Sequence, residues 1–342
     1  MLAILTQATR RSQVVFQVLV LGLLLAFLVN YKSAAGINKI QQARTTGSLH
    51  LAQLQIGRGA ADASALSSAI AYLKMVWPAL VFGILISAAL RTSLSRTPLH
   101  RVFGGSDVSD QLSAALMGAP LMLCSCCAAP LFPAVYQRTR KVAPALGMTL
   151  ASPSLNPAAL TLSFILFPWR IAAGRLVMAL LLVLAGCVLV AHIARPRISA
   201  LVSTAESGES TWAELLGAYA ESVAYISLRT VPLILVGIWA SMWLMSRAPL
   251  PDGVNGTRIS VIVIVALIAV LLTLPSLFEI PLALSLLAAG GPAGAAAALL
   301  FAGPAINLPS LLVIGRYCSW KVAATLALVV WAIAAIGGLL LG

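Results

Sequence analysis

The sequence predicts an all-α polytopic membrane protein: two internal repeats with broken or re-entrant helices, preceded by one extra N-terminal span. Three observations lead there. The chain is 61% hydrophobic and only 9% charged over 342 residues, against about 25% charged in a soluble domain. Its apolar segments reach the roughly 20 residues that a helix needs to span a bilayer. The pattern of rare residues in the first half recurs at a constant spacing in the second.

The apolar segments, in order, are 13–30, 70–90, 111–136, 143–168, 171–194, 226–246, 258–289, 292–315 and 320–341. The first follows Arg10 and Arg11. A small-residue stretch at Ser33-Ala34-Ala35 would suit signal-peptide cleavage, but the run Val14–Val29 exceeds most signal cores, which favours an uncleaved anchor. Residues 1–69 are thus read as an anchor with an extracytoplasmic loop, 70–194 as the first repeat, 195–225 as a linker carrying Glu206, Glu209, Glu214 and Glu221, and 226–342 as the second repeat.

The repeat rests on identities 151 residues apart: Pro130 with Pro281, Pro153 with Pro304, Asn156 with Asn307, and Gly186 with Gly337. Trp169-Arg170 and Trp320-Lys321 fall in the same register. Upstream, Pro78 and Gly83 match Pro232 and Gly237 at a spacing of 154. Repeats with discontinuous helices mark many secondary transporters. If 111–136 and 258–289 are re-entrant hairpins, 13 of the 22 basic residues lie inside and 9 outside. Nine simple crossings would instead divide them evenly. The positive-inside rule favours the hairpins. Three crossings per repeat then make the halves inverted.

Composition also excludes functions. The formal net charge of +13 comes without a basic face interleaved with aromatics, so no nucleic acid partner is expected. No phosphate-binding G-x-x-x-x-G-K-[ST] loop is present. His50, His100 and His192 are scattered and show no metal-ligand spacing. No cofactor and no enzymatic activity are expected. The expected partners are the lipid bilayer of the cytoplasmic (inner) membrane and a small solute; a homo-oligomer is compatible with the sequence and not required by it.

Four points break the apolar segments: Cys124–Pro133, Ala151–Ala159, Phe278–Pro281 and Ala302–Ser310. Proline in a span frees backbone carbonyls, and non-helical backbone at membrane depth is tolerated where it is protein-buried or lines a wet cavity. Ser152, Pro153, Asn156 and Pro157 at one break, with Pro304 and Asn307 at another, are candidate substrate-binding residues. Asn supplies both an acceptor and donors; the alternative is that both Asn residues only cap half-helices. Glu279 is a carboxylate deep in an apolar segment, a costly placement that is usually functional. It is the candidate proton carrier, the alternative being simple stabilisation at a half-helix N-terminus. Its repeat mate is Ala128.

Cys124, Cys126 and Cys127 concentrate three of the five cysteines in four residues. Thiolates select soft ions and thiophilic metalloids, and the C-x-C-C spacing is not that of a zinc finger. These three are candidate soft-metalloid ligands. Cys124 and Cys127 also form a C-x-x-C, which leaves a redox pair open. Cys187 and Cys318 read as small buried hydrophobes.

At these residues the chain resembles the predicted-permease family that contains the organoarsenical permeases of the ArsP type. The resemblance is carried by the Cys124–Pro133 turn followed by Ser152-Pro153-x-x-Asn156-Pro157. Glu279-Ile280-Pro281 followed by Gly303-Pro304-x-x-Asn307-x-Pro309-Ser310 adds to it. It covers about residues 70 to 341. The characterised arsenical permeases are efflux carriers for trivalent organoarsenicals, with cysteines implicated. The resemblance therefore implies a substrate role for Cys124 and Cys126. Family members commonly carry C-x-C-G; Cys127 replaces that glycine here and adds a thiol. The expected function is export of a soft, thiol-reactive solute such as methylarsenite. The alternatives are a carrier or channel for another soft metal or sulfur-containing solute, and a membrane thiol oxidoreductase.

Overall fold

The computed structural model describes residues 22–23, 26–27, 65–93, 105, 107–194, 212–247, 258–274, 277, 279–288 and 290–342. All but four residues of the N-terminal span, and most of the linker, lie outside the described residues. All regular structure among those described is helical: α1 (Ala65–Ser93), α2 (Asp107–Gly118), α3 (Ser125–Ala128), α4 (Leu131–Thr139), α5 (Val142–Ser154), α6 (Pro157–Leu166) and α7 (Trp169–Leu181), which continues through a π-helical turn (Leu182–Gly186) into α8 (Cys187–Ala194). Then follow α9 (Trp212–Arg247), α10 (Arg258–Leu271), α11 (Glu279–Ala288), α12 (Ala293–Ala305), α13 (Leu308–Tyr317) and α14 (Trp320–Leu341).

The protein is an all-α membrane protein. Trp169–Ala194, Leu216–Val236 and Trp320–Leu341 are each long and apolar enough to cross a bilayer. The pair α12 and α13 forms a fourth candidate, bent by 44° at its break. The apolar segment 320–341 coincides with α14. The expected linker does not run to 225, because α9 already begins at Trp212 and carries Glu214 and Glu221 within its first turns.

Helix boundaries recur with the sequence spacing. Adding 151 to the ends of α5 gives those of α12, and the same holds for α6 and α13. The first residues of α2 and α10, and of α7 and α14, are also 151 apart. Proline and asparagine at matched positions account for this: Pro153 and Pro304 lie inside α5 and α12, and Asn156 and Asn307 open α6 and α13.

α5 is buried along its whole length, and α12 nearly so. α12 is apolar throughout and α5 nearly so, its polar side chains being Thr149, Ser152 and Ser154, as suits helices packed on all sides. They touch each other at the centre. The Ala-rich sequence of α12 lets α10 and α14 come close. α1 lies against α9, and α2 against α5.

Of the two segments expected to be hairpins, the first is tied across its ends. Lys141, just beyond α4, donates from Nζ to Asp110 in the first turns of α2 at 2.5 Å. Asp110 is buried and also accepts from the Gly105 amide. In the second half, Val261 and Ile262 of α10 cluster with Ala295, and Leu286 near the end of α11 packs on them. In the first segment the two ends are thus joined, with the cysteine turn in between; in the second, α10 and α11 both pack on α12.

Candidate functional site

The cysteine turn is irregular for identifiable reasons. Pro120 opens a 3₁₀ turn (Ala119–Leu121), and Met122 closes it in the left-handed region at φ 50°. Leu123 then donates its amide to Ser152 Oγ at 2.9 Å, which pins the turn to the break after α5. Cys124 is the extended residue before α3, and its carbonyl accepts from Ala128 at 2.8 Å. α1 presses on this turn through Gly83, where an added Cβ would overlap the carbonyl oxygen of Cys127. That close approach is what glycine permits here.

Cys124, Cys126 and Cys127 are all buried, and their sulfurs lie within 4.8 Å of one another. Cys126 Sγ is 3.3 Å from Cys124 and 3.8 Å from Cys127. Cys124 and Cys127 are joined as a disulfide with their Cα atoms 5.2 Å apart, within the usual span of such a bond. The three-thiol set expected from the sequence is therefore brought together in space, with two of its members in the oxidised form.

A small cavity opens beside the turn. It is lined by Leu123, Cys124, Ser125, Pro153, Asn156 and Ala159 from the first half, and by Leu274, Leu277, Glu279 and Pro304 from the second. All four broken points meet there. Traced by the centre of a water-sized sphere it measures about 10 Å³, room for about one water. Cys126 and Cys127 sit behind Cys124 and do not line it.

Both asparagines cap half-helices. Asn156 Oδ1 accepts from Ala158 at 3.0 Å and Ala159 at 3.4 Å, and the residue lines the cavity as well. Pro157 is the first residue of α6 and is exposed outside the lining. Asn307 forms a reciprocal capping box with Ser310. Its Nδ2 is left over and donates to Ser125 Oγ at 2.6 Å. Asn307 does not line the cavity; it holds a residue that does. Capping and site-building are combined in both, so the two sequence alternatives are not exclusive.

Glu279 is the first residue of α11 and is 2% exposed. Its Oε1 accepts from Arg175 Nη2 at 3.0 Å. Arg175 Nη1 donates to Ser163 Oγ at 2.7 Å, and that hydroxyl donates to the Ala159 carbonyl at 2.8 Å. Sequence reasoning missed Arg175 and Ser163. The charge tally places Arg175 outside the membrane; the structure buries it completely between helices, so it belongs to neither surface set. The signal was present: Arg175 lies six residues into α7, inside the apolar run 171–194, and a basic residue there calls for a buried acid.

Gln111 of α2 was also missed. It donates to the Val183 carbonyl at 2.5 Å, at the π-helical turn where the α-helical register slips and a carbonyl becomes available. Cys187 and Cys126 are fully buried, and Cys318 is half-buried.

The cavity is lined at four helix breaks that lie far apart in the chain. A family model described as predicted permease (ArsP_1) matches residues 60–342. The chain belongs to the ArsP_1 predicted-permease family. Among its relatives in the family, the UPF0718 protein YraQ of Escherichia coli K12 is 30% identical over 261 residues. That match covers 74% of this chain and 73% of that protein. The UPF0718 protein MJ0584 of Methanocaldococcus jannaschii is 30% identical over 95 residues, 28% of this chain and 26% of that protein. No solved structure matches this permease.

Proposed function

We propose that this permease exports a soft, thiol-reactive solute from the cytoplasm, and that trivalent organoarsenicals such as methylarsenite are its substrates. One observation carries the reading: three sulfurs gathered on one buried turn, the first of them facing a cavity where all four broken points meet. Soft metalloids prefer thiolate ligands. In the reduced protein Cys124 is the first ligand a solute in the cavity meets, with Cys126 and Cys127 completing the set. Ser152 fixes the turn through Leu123, Asn307 fixes it through Ser125, and Pro153, Asn156 and Pro304 shape the wall.

The halves are read as inverted repeats of three crossings each in the cytoplasmic membrane. The 151-residue recurrence of helix boundaries supports the repeat. The Lys141–Asp110 bond across the ends of the first hairpin supports an odd number of crossings there, and thus inversion. With Arg175 withdrawn from the outside set, the basic residues divide 13 inside to 8 outside.

The reading is tested by loading cells with methylarsenite, with and without the protein. Lower accumulation with the protein is expected, and equal accumulation refutes the arsenical substrate. Changing Cys124, Cys126 and Cys127 together to Ser is expected to abolish the difference.

A second reading is favoured by the joined Cys124 and Cys127: a membrane thiol oxidoreductase working through that pair. It requires alkylation of Cys124 to follow the redox poise of the medium while solute transport is absent. A growth screen across arsenic, antimony and mercury compounds separates the arsenical from other soft solutes.

A further inference from the structure

We propose that Glu279 is the binding site of a small coupling cation, H⁺ or Na⁺, and that Arg175 is the built-in counter-ion which this cation displaces. The inference rests on the permease reading and names what drives it.

The order of groups along the path supports a cation. Glu279 lines the cavity, whereas Arg175 lies behind it and is fully buried. A ligand entering through the cavity meets the carboxylate first. A cation is attracted there, and an anion is opposed. Arg175 keeps a second attachment at Ser163 Oγ, so it retains a partner when Glu279 turns to another cation. Among the described residues, the charged group facing Glu279 is Arg175 on α7; Cys124, across the cavity, titrates only in the reduced protein. α12, which packs on α11, carries no ionisable residue.

The pair is also unnecessary for packing. The positions 151 residues from Arg175, Ser163 and Glu279 are Leu326, Ile314 and Ala128. All three are fully buried. In the matching place of the other half, apolar side chains fill the space that the ion pair and hydroxyl fill here. A buried ion pair replaced by well-packed apolar groups is often neutral for stability or better. The guanidinium is incompletely satisfied besides, since Nε has no hydrogen-bond partner among the described residues. The set is arranged for exchange of partners rather than for a permanent join. Because Arg175 belongs to the first half and Glu279 to the second, cation binding releases a bond between halves and lets the α11 tip move away from the cavity.

The experiment reads that motion without any arsenical. The full chain carrying Cys126→Ser and Cys127→Ser is reconstituted in liposomes, and Cys124 alkylation is quantified by peptide mass spectrometry. Rates are normalised to the unfolded protein at the same pH. The expected result is a change of threefold or more in Cys124 labelling when either pH is lowered or Na⁺ is added; which of the two acts identifies the cation. Glu279→Gln is expected to abolish the response. Arg175→Leu with Glu279→Ala, which copies the residues of the matching position, is expected to abolish it in a protein that still folds. Labelling unresponsive to both cations overturns the proposal, as does a response that persists in Glu279→Gln or in the double variant. A cation response in a protein that leaves methylarsenite accumulation unchanged supports the cation site and refutes the arsenical substrate.

Discussion

Asn307 carries two duties on separate atoms, which allows them to be tested apart. Its Oδ1 caps α13, and its Nδ2 holds Ser125 of the cysteine turn. Asn307→Ser retains a capping oxygen and loses the Nδ2 that reaches Ser125; Asn307→Ala loses both. Losing an N-cap costs about 1 kcal/mol, so thermal unfolding in detergent should fall for Ala and stay close to wild type for Ser. On the proposed reading methylarsenite export should fall for both, because Ser125 is released in both. Wild-type export by Asn307→Ser counts against the role of the Ser125 link. Sequence reading identified Asn307 as important, yet its partner Ser125 is 182 residues away. No local pattern encodes that distance. Arg175 was missed for another reason: averaged over an apolar run, one charge barely alters hydropathy.

The elements bear the imprint of their breakers. The start of α14 was legible to the residue, because Ser319 caps its first turn. The start of α9 was not, because an amphipathic, acidic first stretch hides from a search for apolar runs. The breaks at 155–156 and 306–307 follow directly from Pro and Asn. The hairpin turn itself depends on Gly83 in a different helix. Gly83→Ala forces a side chain onto the Cys127 carbonyl, and overpacking of this kind costs about 1–3 kcal/mol. The expected outcome is a lowered melting temperature together with faster alkylation of Cys124 as the turn is pushed out of place. A turn unaffected by this change would mean that α1 and α3 are less close than described. The hairpin is checked separately by labelling from one side of the membrane. Thiols placed at Gly105 and Lys141 should react from the same side, and one at Arg170 from the other.

At the scale of the whole molecule, two bonds join distant parts of the chain around the cavity: Asn307 to Ser125, and Arg175 to Glu279. The first is neutral and the second charged, so their removal has different consequences. Glu279→Ala alone leaves a buried guanidinium without its anion, a loss of about 3–5 kcal/mol in soluble proteins, and should lower the yield of folded protein sharply. Adding Arg175→Leu should restore that yield, measured as monodisperse protein in detergent. The helix ends of α5, α6, α12 and α13 could be seen in the sequence because Pro and Asn stand at their breaks. The polar partners could not, because no local pattern encodes bonds between residues 104 and 182 apart.

The cavity has room for about one water and no more. On the carrier reading proposed above, such a protein passes no current at rest. Liposomes crowded with it should hold an imposed ion gradient as long as empty ones do, which a fluorescent potential dye would record. A cell could then keep many copies in its membrane at no standing cost to its ion gradients.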